Sequence, residues 1–118
     1  MSKRVLVVDD SLYMQSIIKS TLEEAGYEVV GLAANGESAV DMALETEPDI
    51  ITLDNILPEM LGLDVIKVLK EENVSSKILM VSAVGQQSVI NTGLALGADG
   101  YLVKPFTGEQ LIERIKSI

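Results

Sequence analysis

Val5-Leu6-Val7-Val8-Asp9-Asp10 joins four apolar, mostly β-branched residues to two carboxylates. A run of this kind suits a strand covered on both faces, as parallel sheets require. From Met14 the period lengthens: Ile17, Ile18, Leu22 and Ala25 fall on one helical face, and Gly26 follows where a left-handed helix cap is wanted. The strand-helix unit recurs four times. Val29 to Leu32 precede Ala39, Val40, Ala43 and Leu44; Ile50 to Leu53 precede Val65, Ile66 and Leu69. Ile78 to Val81 precede a helix over about Gln86 to Leu96, and Tyr101 to Val103 precede Leu111, Ile112, Ile115 and Ile118. Short connections between a strand, a helix and the next strand require parallel strands with right-handed crossovers. The class is α/β, an open five-stranded sheet with five helices on both faces.

Helix starts are written into the chain as well. Thr107-Gly108-Glu109-Gln110 fits a capping box that opens the last helix, and Asn35-Gly36 can open the second. No linker or low-complexity stretch interrupts the pattern, so residues 1–118 are expected to form a single domain.

Composition removes much chemistry. The 118 residues include neither Cys nor His, which excludes disulfides, thiol catalysis, imidazole bases and Cys or His metal sites. Eighteen acidic against nine basic residues give a formal charge of −9, which repels a phosphate backbone and argues against nucleic-acid binding. No apolar run approaches a signal-peptide core or a membrane span, so the expected location is the cytoplasm, away from the membrane.

In open α/β sheets, ligands bind beyond the carboxyl ends of the strands. Asp9-Asp10 follow the first strand, Asp54 the third, Ser82 the fourth and Lys104-Pro105 the fifth, while the second ends in Gly31 to Ala34 with nothing reactive. Taken singly, each is an ordinary turn or surface residue. Taken jointly, they bring three carboxylates to one crevice, a repulsion of several kcal/mol that a cation relieves. All-oxygen donors without imidazole or thiolate favour Mg²⁺. A carboxylate can also be a nucleophile toward phosphorus when positive charge gathers around the transferred group, which Lys104 and Mg²⁺ would supply. Ser82 adds a hydroxyl donor, and the small Ala83 leaves its backbone N–H open to a phosphoryl oxygen.

At this point the chain resembles the receiver domain of two-component response regulators, and most of all the single-domain chemotaxis-type CheY proteins. The resemblance rests on Asp9-Asp10, the run Leu53 to Gly62 around Asp54, Ser82-Ala83, Gly97-Ala98-Asp99-Gly100-Tyr101 and Lys104-Pro105-Phe106. It implies a flavodoxin-like strand order 2-1-3-4-5, of which CheY is itself a type example. It implies that Asp54 is the phosphoacceptor and that Mg²⁺ is bound by Asp10, Asp54 and the backbone carbonyl of Ile56, with Asp9 assisting. Lys104 and Ser82 would grip the phosphoryl group, Tyr101 would turn inward with Ser82 as an aromatic switch, and Lys104-Pro105 would be cis. The implied partners are a sensor histidine kinase and a downstream target, such as a motility switch component, with room for a dedicated phosphatase. Such a protein catalyses only its own phosphorylation and dephosphorylation.

Two other readings compete. An aspartate-nucleophile phosphohydrolase wants Asp-x-Asp after its first strand, whereas this chain has Asp9-Asp10-Ser11. A receiver-like scaffold from a longer regulator, its site vestigial, would not need the full set Asp9, Asp10, Asp54, Ser82 and Lys104. Four positions depart from the family pattern. Asn55 stands where an apolar residue commonly follows the acceptor, and Ile56 and Val84 are apolar where chemotaxis relatives often carry polar groups. Gly93 replaces a usual Ala, at a cost of roughly 1 kcal/mol in mid-helix, which predicts a weak fourth helix.

Overall fold

The computed structural model describes residues 3–118. Strand and helix alternate through β1 (Arg4–Val8), α1 (Leu12–Glu24), β2 (Glu28–Ala33), α2 (Gly36–Thr46) and β3 (Ile50–Asp54). The alternation continues with α3 (Gly62–Glu71), β4 (Lys77–Ala83), α4 (Gln87–Leu96), β5 (Gly100–Lys104) and α5 (Gly108–Ser117). All pairings are parallel and the order is β2-β1-β3-β4-β5, as the family resemblance implies. The winding direction reverses between β1 and β3, so the carboxyl ends of those strands open onto the crevice where such sheets take ligands.

Side-chain alternation along the strands sends residues to two cores. Leu6, Val8, Ile51, Leu53, Ile78 and Met80 face α2, α3 and α4, whereas Val5, Val7, Ile50, Leu79 and Leu102 face α1 and α5. The apolar runs of β1 and β3 are buried along their length because helices cover both sides. Among the described residues no helix is long and apolar enough to cross a membrane.

The helix signals act as the sequence indicates, with one shift. Thr107 and Gln110 form the reciprocal capping box of α5, and Asn35 caps α2 by accepting from the Ser38 N–H. α1, however, starts at Leu12, because the Ser11 hydroxyl accepts from the Met14 N–H. The buried stripe of α1 is Gln15, Ile18 and Leu22, while Ile17 and Ala25 sit exposed at its margin. The Gly97 to Gly100 run closes the fifth unit: Ile78 N–H donates to Asp99 Oδ2 at 2.8 Å, and Asp99 N–H returns to the Ile78 carbonyl at 2.9 Å.

Gly93 answers to packing. It is buried on α4, and a Cβ there would overlap Met80 Sδ and lie 2.5 Å from Met80 Cε. Met80 is itself 1% exposed, so its thioether fills the space that the missing side chain leaves under the helix. Gly93→Ala gains about 1 kcal/mol of helix propensity but meets an overpacking cost of roughly 1 to 3 kcal/mol. Gly93→Ala should therefore lower the thermal midpoint, and Met80→Val added to it should recover most of the loss. Melting curves followed by circular dichroism check this, and a rise for the single variant would mean that Met80 swings aside freely.

Candidate functional site

Asp9 lies just past the end of β1, where the chain turns into α1, and is 1% exposed. Its orientation is fixed at three points. Oδ1 accepts the Ser11 N–H at 2.9 Å, Oδ2 accepts from Lys104 Nζ at 3.1 Å, and its main-chain carbonyl accepts from Gln15 Nε2 at 2.7 Å. Gln15 also reaches the Ala33 carbonyl at 3.4 Å, tying the acidic turn to the end of β2. Asp10 is exposed at the mouth of the crevice.

Asp54 ends β3, and the loop beyond it folds back sharply. The Gly62 N–H donates to the Asn55 carbonyl at 3.0 Å, and a Cβ on Gly62 would come within 2.6 Å of the Asp54 carbonyl oxygen. Only glycine permits that approach of backbone to backbone. Asp54 Oδ1 accepts the Ile56 N–H at 3.2 Å, and Oδ2 lies 3.5 Å from Lys104 Nζ. Burial pushes the Asp54 carboxyl above its ordinary value; the Ile56 N–H and the Lys104 ammonium pull it back, and Asp9 adds to the rise.

Lys104 thus spans two buried carboxylates, an arrangement the strand-end reading did not foresee when it assigned this ammonium to a phosphoryl group. The Lys104-Pro105 bond is cis, as the resemblance implies. Asp9, Asp10 and Asp54 each offer a carboxylate oxygen within 4.8 Å of the others. An all-oxygen cluster with a partly buried Lys as its contacting cation fits a hard divalent ion, and receiver domains generally bind Mg²⁺ at such an acidic pocket.

The remaining candidates lie on β4 and β5. Ser82 is fully buried with its hydroxyl unpartnered, and Ala83 beside it is exposed. Tyr101 is half-buried against the α2–α4 core; the Arg114 guanidinium lies 5.3 Å from its ring centre and donates to its carbonyl at 2.5 Å. Two polar residues at the site have no role assigned in the sequence reading. Gln15 carried a readable signal, a polar residue in the helical stripe with Ile18 and Leu22. Asn55 stood out as unusual, but its burial, 3% exposed with Oδ1 unpartnered, is a product of the fold.

The raised Asp54 pKa makes a stability statement. The folded protein holds this proton more tightly than the unfolded chain, so stability is lost as pH rises from 3.8 through the folded value. Without divalent cations, Asp54→Asn should melt a few degrees higher than wild type at neutral pH, with the advantage vanishing below 3.8. Calorimetry across pH checks this, and an advantage independent of pH would assign the effect to something other than the buried charge.

Residues 5–116 match the response regulator receiver domain. The chain is 41% identical over 118 residues to the chemotaxis protein CheY of Thermotoga maritima, covering all of this chain and 98% of that one. It is 40% identical over 115 residues to CheY of Bacillus subtilis, covering 98% and 96%. Among solved structures, Vibrio cholerae CheY4 superposes with a TM-score of 0.93 at 33% identity, covering 100% of this chain and 99% of that one. CheY in the CheX-CheY-BeF3-Mg complex of Borrelia burgdorferi superposes with a TM-score of 0.93 at 29% identity, covering 98% and 87%. With the family matched across nearly all its residues and its relatives covered almost end to end, the chain belongs to the response regulator receiver domains.

Proposed function

We propose that this receiver domain is a chemotaxis switch of the CheY type, which accepts a phosphoryl group on Asp54 from a histidine kinase and then binds a downstream target. The observation that carries the reading is the buried Asp54 carboxylate, 3.5 Å from Lys104 Nζ and clustered with Asp9 and Asp10. A phosphohydrolase is not favoured: the relatives are signalling proteins, and this chain acts as a switch.

An oxygen of Asp54 attacks the phosphorus of a phosphohistidine. The O–P bond forms as the P–N bond breaks, and the departing imidazole takes a proton from solvent. Lys104 is close enough to neutralise one oxygen of the arriving group, and the Ser82 hydroxyl and Ala83 N–H donate to the others. Mg²⁺, held by Asp10, Asp54 and the Ile56 carbonyl with Asp9 assisting, would neutralise the cluster and draw charge from the phosphoryl oxygens. Tyr101 follows Ser82 inward and alters the surface that the target reads. The Borrelia burgdorferi relative, solved with CheX, BeF3 and Mg, supports both the cation and the class of protein partner. The reading sets the protein in the cytoplasm beside its kinase.

With Mg²⁺ and acetyl phosphate, one phosphoryl group per molecule should appear by intact-protein mass spectrometry and be lost in Asp54→Asn. Labelling of that variant at the wild-type level would move the acceptor elsewhere.

The lifetime of the product follows from the rim of the crevice. Ile56 is 55% and Val84 74% exposed, and neither has a side-chain hydrogen bond to orient an attacking water. Phosphate should leave slowly, and Ile56→Asn with Val84→Glu should speed its release several-fold. An unchanged rate of phosphate release would remove these two positions from the hydrolytic step.

A further inference from the structure

Gln15 is the polar member of the buried stripe of α1, set between the acidic turn and the apolar Ile18 and Leu22. It is 5% exposed, and a carboxamide so buried is costly unless its hydrogen bonds are made. Its Nε2 donates to two main-chain carbonyls, that of Asp9 at 2.7 Å and that of Ala33 at 3.4 Å. The Ala33 carbonyl, the last of β2, also accepts the Asp9 N–H at 3.0 Å. The peptide groups on both sides of Asp9 are therefore held, one by a strand end and one by a helix side chain.

The three carboxylates of the cluster are not held alike. Asp9 is fixed by the Ser11 N–H and Lys104, and Asp54 by the Ile56 N–H and Lys104. Asp10 is exposed, and among the described residues its carboxylate meets no hydrogen-bond donor, although one of its oxygens lies within 4.8 Å of the other two groups. Its placement comes through the backbone. The Asp9 carbonyl and the Asp10 N–H belong to one planar peptide group, so a donor that fixes the carbonyl also fixes the direction in which Asp10 leaves the turn. We infer that Gln15 is a positioning residue of the metal site, which presets Asp10 for a divalent cation through the Asp9–Asp10 peptide. The inference rests on the reading of Asp10 as a Mg²⁺ ligand. Ordering of this exposed ligand is then met on folding and not on binding, the part that supports behind metal ligands commonly take.

The test titrates Mg²⁺ and follows amide resonances by NMR for wild type, Gln15→Met, Ile18→Val, Asp10→Asn and the double variant of Gln15→Met with Asp10→Asn. Gln15→Met keeps the length of the side chain and removes the donor, and it should weaken Mg²⁺ binding about tenfold. Ile18→Val loosens the same stripe without touching the turn and should leave the affinity as in wild type. In the Asp10→Asn background, Gln15→Met should cost nothing further, because the ligand it acts through is gone. Unchanged affinity in Gln15→Met, an equal loss in Ile18→Val, or an undiminished loss in the Asp10→Asn background overturns the inference. Should Gln15→Met fail to fold, the wild type still decides. Scalar coupling across the hydrogen bond from Gln15 Nε2 to the Asp9 carbonyl carbon should be present before Mg²⁺ is added and persist after it; its absence from the metal-free protein overturns the inference. A wild type that takes up no Mg²⁺ overturns the metal reading and the inference with it, whereas uptake by wild type and Gln15→Met with equal affinity overturns the inference alone.

Discussion

Two carboxylates at the ends of adjacent central strands, Asp9 and Asp54, are buried close enough to share one ammonium. Like charges in a poorly solvated crevice repel by several kcal/mol unless a cation intervenes. Lys104 is that cation, and it arrives from the far end of the chain on the edge strand β5. The contact needs every crossover between β1 and β5 to be right, because a slip of one residue in any ladder would turn the ammonium to the wrong face. The balance is also incomplete. One lysine faces a cluster that includes Asp10 as well, and the Asp54 carboxyl stays above its ordinary value despite its partner. The site is built to welcome more positive charge.

The strands divide the labour by parity. Asp9, Asp54 and Lys104 occupy positions that alternate toward α1 and α5, whereas Asn55, Ser82 and Tyr101 project toward α2, α3 and α4. The charged residues of the site lie on one side of the sheet, and Asn55, Ser82 and Tyr101 lie on the other. The ends of β3 and β4 are where the sides meet, since Asp54 and Asn55 are chain neighbours with opposite outlooks.

Most of the fold was legible because five apolar runs and five helical stripes recur with short joins, which leaves few topologies to choose among. The order of the strands came from likeness to a family and not from periodicity. Depth was harder to read: Ile17 and Ala25 fit the α1 stripe as well as Ile18 does, yet they lie at its margin, because a helical face is wider than the seam it buries. Gly93 looked like a weakness, since only the structure reveals the Met80 thioether beneath it. The residues of the acidic site could be named from strand ends alone. The hold of Lys104 on Asp9 could not, because it joins residues 95 positions apart and depends on register.

β5 is an edge strand, and an edge presents unpaired backbone groups to any passing strand. Arg114, reaching from α5, occupies the Tyr101 carbonyl on that edge while its guanidinium lies by the ring. The same side chain therefore guards the sheet against extension and attends the residue expected to move on signalling. A ring movement that drew Arg114 away would bare a backbone acceptor at the margin of the sheet.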